Sequence, residues 1–205
     1  MARDRSPIVK QSRREGVALH PKAHKVMVTR TNMPGQSPHA RRQKLSNYGV
    51  QLREKQKVKR MYGLLEKQFR RLITEAGRSK GRTGVVLLEL LERRMDNVVY
   101  RAQFAASRRA SRQLVNHGHF TLNGKRVDIP SIRIKAGDVI EVRAKSKKSE
   151  YFKNMDDLTV QNEQGPLSWL TADRKKFVIK VTGQPVREEA EPGINEQLIV
   201  EYYSR

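Results

Sequence analysis

The chain holds no cysteine in its 205 residues. That excludes disulfides and every thiolate metal site, and it fits a reducing compartment. Aromatic residues are scarce at 6%, and apolar residues reach only 37%, below the share usual for globular domains. Small cores are therefore expected, with basic segments that gain order on binding. No apolar run approaches the roughly 18 residues of a membrane-spanning helix. The start, Met1-Ala2-Arg3-Asp4-Arg5, is basic but is not followed by the apolar core of a secretory signal. A membrane is thereby set aside as partner.

Acid is also in short supply. Lys and Arg number 43 against 21 Asp and Glu, a net charge of +22. Such an excess repels itself unless a polyanion neutralises it, which points to nucleic acid. The imbalance is local: residues 1–60 carry 16 basic and 3 acidic side chains, residues 61–149 carry 20 and 8, and residues 150–205 carry 7 and 10. The mildly acidic tail is expected to pack on protein or face solvent rather than lie on phosphate.

Residues 1–43 show no sustained period and scatter Pro7, Pro21, Pro34, Gly35 and Pro38 among basic residues. They read as an extended basic arm, either a disordered tail or an extension that orders against RNA. A helical pattern starts after the candidate cap Ser46. Val58, Tyr62, Leu65, Phe69 and Leu72 form one apolar stripe, with a kink or break expected at Gly63. Arg53, Lys57 and Arg60 share a face on which acid is nearly absent, which favours phosphate contact over a solvated surface. Residues 77–84, Gly-Arg-Ser-Lys-Gly-Arg-Thr-Gly, offer cations in a loop, but their spacing is not that of a nucleotide-binding loop.

Val85 to Tyr100 reads as one helix. Ser107 then caps a second, closed by Gly118, with Arg108, Arg109 and Arg112 outward near its positive N-terminus. Asn123-Gly124 between Phe120-Thr121-Leu122 and Lys125-Arg126-Val127 is a strong hairpin signal. Ile132 and Ile134 alternate with basic residues, and Val139 to Val142 reads as a further strand. Lys145 to Ser149 reads as an exposed linker. Ser168 to Leu170 and Phe177 to Val181 suggest short elements. The apolar end, Leu198-Ile199-Val200 with Tyr202 and Tyr203, is too rich for a free tail and should dock.

The runs Arg94-Met95-Asp96-Asn97-Val98-Val99-Tyr100-Arg101, Ser107 to Val115 and Leu122-Asn123-Gly124-Lys125 resemble the small RNA-binding module named after ribosomal protein S-four. That module also occurs in pseudouridine synthases, some tRNA synthetases and a heat-shock protein, so alone it implies RNA binding and little more. Lys44 to Gly63, Ser12 to Gly16 and Asn195 to Glu201 resemble the bacterial S-four family itself, in order along nearly the whole chain. The resemblance implies an α+β fold: a helical domain (44–92) completed by the C-terminal segment (151–205), an inserted helix–helix–β-sheet RNA-binding module (93–150), and the basic arm (1–43). It implies a structural constituent of the small ribosomal subunit in the cytoplasm. Such a protein binds ribosomal RNA at a junction of several helices in the 5′ domain, nucleates assembly and contributes to translational accuracy. Its neighbours would be ribosomal proteins S-three and S-five, with Arg41, Arg42 and Lys44 near the site where mRNA enters.

Departures are modest. The N-terminal cysteine cluster that binds zinc in many relatives is absent. His20 and His24 have helical spacing but no further ligands, so no metal or other cofactor is expected. Gln103 stands where relatives usually have Gly, and Met95 where they have Leu. The candidate RNA contacts in the arm and first helices are Arg3, Arg13, Arg14, Arg41, Arg42, Lys44, Arg53, Lys55, Lys57, Lys59 and Arg60, with Tyr48 as a base-stacking or helix-packing residue. Further along come Arg70, Arg71, Lys80 and Arg82, and in the module Arg94, Arg108, Arg109, Arg112 and Lys125. An RNA-modifying enzyme would need a catalytic constellation, and no Ser–His–Asp, metal or Gly-rich arrangement is present; His117 and His119 lie at a helix end. A free RNA chaperone sharing only the module is the other alternative.

Overall fold

A few small residues set the ends of the elements. In the computed structural model, which describes residues 4–35, 44–159 and 167–204, the Ser46 hydroxyl accepts from the Gly49 amide at 3.2 Å and starts a helix. Gly63 at φ +64° breaks the apolar stripe, so Val58 and Phe69 lie on different helices. Ser107 caps its helix from the Ala110 amide, and Asn123 and Gly124 take φ of 50° and 80° in the hairpin turn.

In chain order the helices are α1 (Ile8–Glu15), α2 (Pro21–Thr29), α3 (Asn47–Met61), α4 (Glu66–Arg78), α5 (Thr83–Glu92), α6 (Met95–Arg101) and α7 (Arg108–Asn116). Strands β1 (Phe120–Leu122), β2 (Lys125–Val127) and β3 (Val139–Val142) follow, then three single turns, α8 (Ala144–Lys147), α9 (Glu150–Lys153) and α10 (Met155–Leu158). Strands β4 (Leu170–Asp173) and β5 (Val178–Val181) precede the terminal helix α11 (Glu196–Tyr203). The chain divides into two compact units, Met1–Leu87 with Gly193–Arg205, and Leu88–Pro192.

The first unit is helical. Helix α1 packs on α2 and α3, and α11 packs along α3. Val58, Phe69 and Ile199 are fully buried. Gly84 lets α11 come close, since a Cβ there would lie 2.6 Å from Glu196 Cβ. Glu66 fastens the terminus: its carboxylate accepts from the Tyr203 hydroxyl at 2.7 Å, from Lys55 Nζ at 2.9 Å and from Lys59 Nζ at 3.0 Å. Burial pushes the Glu66 carboxyl up, but these donors outweigh it and hold it at about 2, against 4.5 ordinarily. A folded pKa below the unfolded one gives stability that is present above pH 4.5 and lost as pH falls through about 2. The Glu66 side chain is 46% exposed, so solvent screening reduces this to about 1 kcal/mol. Glu66→Gln is expected to melt lower than the parent at pH 7 and to approach it at pH 2.5. A melting difference that does not change with pH would show that Glu66 acts by shape alone.

The second unit is a five-stranded antiparallel sheet in the order β2-β1-β3-β5-β4. Helices α6 and α7 pack together, and Val98, Val99, Phe104, Val115, Phe120, Ile140 and Ile179 belong to its core.

Several expectations change here. Val85 to Tyr100 is two helices, because Arg94 is extended (φ −70°, ψ 138°) and bridges to Arg133. The Met95 amide donates to Ile132 O at 2.8 Å and the Ile134 amide to Arg93 O at 2.9 Å, so backbone partners across the chain replace helical ones. Ile132 and Ile134 form this bridge region rather than a sheet strand. The expected linker 145–149 overlaps α8 (Ala144–Lys147), where His119 Nδ1 meets Ser146 Oγ at 3.0 Å. The segment after residue 150 divides: β4 and β5 complete the sheet through pairing of β5 with β3, and Gly193–Arg205 belongs with the helical unit. Residues 8–29 hold two helices, α1 ending at Gly16 with φ +71°.

Candidate nucleic-acid interface

Cations in this chain fall into three physical classes. Exposed ones are held on helices and turns: Arg14 on α1, Lys44 ahead of α3, Arg70 and Arg71 on α4, Lys80 and Arg82 in the turn before α5, Arg109 on α7 and Lys125 on β2. Their side chains are open to solvent, where a phosphate can reach them. Arg3, Arg41 and Arg42 lie outside the described residues.

Half-buried cations are tied to carboxylates. Arg53 donates to Glu15 at 3.2 Å and Arg60 donates to the same oxygen. Lys57 reaches Glu54 at 2.8 Å and Gly193 O at 2.7 Å, and Lys59 holds Glu66. The predicted face of Arg53, Lys57 and Arg60 therefore exists, but it is turned to intramolecular partners. Arg13 closes the α1–α2 hairpin by donating through Nε and Nη2 to Asn32 O at 3.1 and 2.6 Å. Tyr48 is exposed and also packs, its ring 5.6 Å from that of Tyr202.

Lys55 and Arg94 are buried, at 4% exposure each. Lys55 pairs with Glu66 and lies 4.6 Å from the Tyr202 ring centre. Arg94 forms a fork on Asp96, Nε and Nη2 donating at 3.0 and 2.9 Å. Neither reaches a phosphate in this conformation.

In the sheet-bearing unit the polar centre is a buried network. Glu92 accepts from Arg101 Nε and Nη2, both at 2.9 Å, and from Asn97 Nδ2 at 2.8 Å. Arg108 donates from Nε to Asn97 Oδ1 at 2.8 Å and from Nη2 to Glu191 at 2.6 Å, and it lies 4.5 Å over the Tyr100 ring. Burial pushes the Glu191 carboxyl up, but the charges of Arg108 and Arg101 win and hold it below the usual range. Arg112 reaches Asp96 at 3.3 Å, and its burial lowers its pKa against the pull of that carboxylate. Of the three α7 arginines expected outside, Arg109 is exposed; Arg108 and Arg112 lie inward and fix α7 to α6.

Sequence reasoning passed over Arg126 and the exposed lysines 145, 147 and 148. A signal for Arg126 was available in Gly118. A Cβ at Gly118 would lie 2.8 Å from Arg126 Nε, so the glycine lets that guanidinium cross the end of α7. Among the described residues no group of three or more His, Asp or Glu side chains is placed to hold a metal ion. No helix there is long and apolar enough to cross a membrane.

The family model of the ribosomal protein S4/S9 N-terminal domain matches residues 3–92, and that of the S4 domain matches residues 93–140. The two matches meet where α5 gives way to α6. A small ribosomal subunit protein uS4 of Herpetosiphon aurantiacus is 53% identical over 211 residues, with both chains covered in full. The chain belongs to the uS4 family. Identity to the uS4 proteins of Chloroflexus aurantiacus (51% over 206 residues) and Clostridioides difficile (50% over 211) also spans both chains in full. As a uS4 protein it is a structural, RNA-binding component of the small ribosomal subunit and not an enzyme.

Proposed function

We propose that this uS4 protein binds small-subunit ribosomal RNA directly and early, at a junction of several helices in the 5′ domain, and nucleates assembly of the subunit. In the assembled cytoplasmic ribosome it lies beside ribosomal proteins S-three and S-five near the site where mRNA enters, with Arg41, Arg42 and Lys44 towards the messenger, and it contributes to accuracy of decoding. The observation that carries the reading is the distribution of cations. Each unit has its own exposed set, Arg70, Arg71, Lys80 and Arg82 in one and Arg109 with Lys125 in the other, while Glu15, Glu66, Glu92, Asp96 and Glu191 are tied to other cations. Two folded units with separate cationic sets suit an RNA that presents several helices, because A-form RNA is recognised by the shape of its backbone. Bidentate guanidinium groups suit its phosphates.

The test is binding of the full chain to 5′ domain RNA at fixed salt against an equal mass of unrelated structured RNA. Retention of the complex in tenfold excess competitor is the expected result. Equal loss to any RNA would leave a general RNA chaperone in its place.

A further inference from the structure

A cavity of about 380 Å³ in the helical unit has three cations in its walls and no acid: Lys10 and Arg14 of α1 and Arg60 of α3, with Pro7 and Pro34 beside them. The carboxylates nearby are committed elsewhere. Asp4 accepts from the Ser6 amide at 2.8 Å and, on its other oxygen, from Gln11 Nε2 at 2.6 Å. Glu15 accepts from Arg53 and Arg60 and is not among the lining residues. Lys10 and Arg14 stand four positions apart on one face of α1, where like charges repel. Both are exposed, and neither makes an ion pair among the described residues. Arg60 comes from the other helix with a side chain 19% exposed. One of its nitrogens serves Glu15, and a guanidinium has further N–H donors to offer.

Three positive charges that converge on one cavity raise each other's energy until an anion enters. The walls also limit which anion suits. The cations reach the cavity from two helices, and a tetrahedral oxyanion, whose oxygens point in several directions, can meet all three at once. The volume lies in the lower part of the range of pockets that hold organic ligands, so a lone oxyanion leaves much of it unfilled. Pro7 and Pro34 offer apolar rings to whatever is attached to the anion. A phosphodiester, with a ribose on either side of its phosphate, meets both demands.

Resting on the RNA-binding reading above, we propose that this cavity holds one backbone phosphate of the bound RNA. Lys10, Arg14 and Arg60 donate to its non-bridging oxygens, and an adjoining ribose lies against the two prolines. Lys10 thereby joins the residues that face RNA. The contact reads no base; it fixes where the strand lies on the helical unit. It also differs from a scatter of independent cations in one measurable way. Lys10 and Arg14 neutralise the same phosphate, so together they release the counterions of one phosphate and not of two.

The test is ethylation interference with the full chain and the 5′ domain RNA. Phosphates are ethylated at random, which removes their charge, and bound and unbound RNA are compared position by position. With Lys10→Ala plus Arg14→Ala, interference should vanish at one phosphate and persist at the others, while binding weakens about tenfold. Lys10→Ala alone should weaken interference at that same phosphate. The slope of log affinity against log salt should flatten by about 0.7–0.9, the share of one phosphate, and not by the roughly 1.4–1.8 of two. Both substitutions are on the exposed surface, so the double variant should melt with the parent. A second arm adds inorganic phosphate to the protein without RNA and reads its phosphorus NMR line. Broadening that needs Lys10 and Arg14, with an interference pattern that does not, would assign the cavity to the free ion and overturn the proposal. Loss of interference at two separate phosphates, or at none, would also overturn it and leave the RNA-binding reading standing. Failure of the parent to select the 5′ domain RNA over competitor would overturn both.

Discussion

Replacing Arg101 by Met is expected to destabilise the sheet-bearing unit by about 3–5 kcal/mol, the cost of leaving a buried carboxylate without its cation. Glu92 is 2% exposed and Arg101 6%, so water cannot take the place of the guanidinium. Two charge-assisted hydrogen bonds are lost together. The Asn97 amide would remain on Glu92, but a neutral donor does not offset a desolvated charge. The free energy of unfolding in urea should fall while its slope stays constant, because the area exposed on unfolding is unchanged. Exchanging both partners, Glu92→Gln with Arg101→Met, should recover much of the loss, since an apolar or neutral pair of similar shape carries no desolvation penalty. A single-variant loss below about 1 kcal/mol would mean that solvent reaches Glu92 and that the network does not hold the unit together.

That network also explains where the sequence was readable and where it was not. Local signals were clear, because they depend on neighbouring residues only: the Ser46 and Ser107 caps, the break at Gly63 and the Asn123-Gly124 turn each have one cause within a few positions. Three features were not visible because their causes are distant in the chain. The break between α5 and α6 is set by Arg133, some 40 positions from Arg94, a separation on the order of those that make such pairing illegible to local pattern. The incorporation of β4 and β5 into the sheet depends on a pairing between Ile140 and Ile179. The two N-terminal helices were hidden by their prolines, although Pro21 sits at the first position of α2, where a missing amide removes no helical bond.

The same separation of near and far governs the candidate site. Charge and spacing placed Arg53, Lys57 and Arg60 on one face, and the structure does so too. Nothing local announced that Glu15, 38 and 45 positions away, would occupy two of them. The scarcity of acid made the few carboxylates easy to pass over, yet these select which cations stay outside. Glu15, Glu66, Asp96 and Glu191 turn Arg53, Arg60, Lys55, Lys59, Arg94 and Arg108 into structural residues. On the proposed function, the remaining exposed cations are the ones that carry the electrostatic part of RNA binding.

Sorting the cations in this way makes the salt dependence calculable. Eight candidate cations among the described residues are exposed: Arg14, Lys44, Arg70, Arg71, Lys80, Arg82, Arg109 and Lys125. Each neutralised phosphate releases counterions and contributes about 0.7–0.9 to the slope of log affinity against log salt, so eight give a slope of about −6 to −7. Between 50 and 200 mM salt, affinity for the 5′ domain RNA should then fall by about 10³–10⁴-fold. Arg70→Ala with Arg71→Ala should flatten the slope by about 1.5, and Arg109→Ala by about 0.8, at every RNA sequence tested. Lys55→Met should leave the slope unchanged while lowering the melting temperature, because Lys55 is spent on Glu66 and the terminal tyrosines. A slope shallower than about −3, or one that Arg70 and Arg71 do not move, would place most of the exposed set away from the RNA. The half-buried arginines released from Glu15 and Glu191 would then be the groups that meet phosphate, and binding would have to open those ion pairs first.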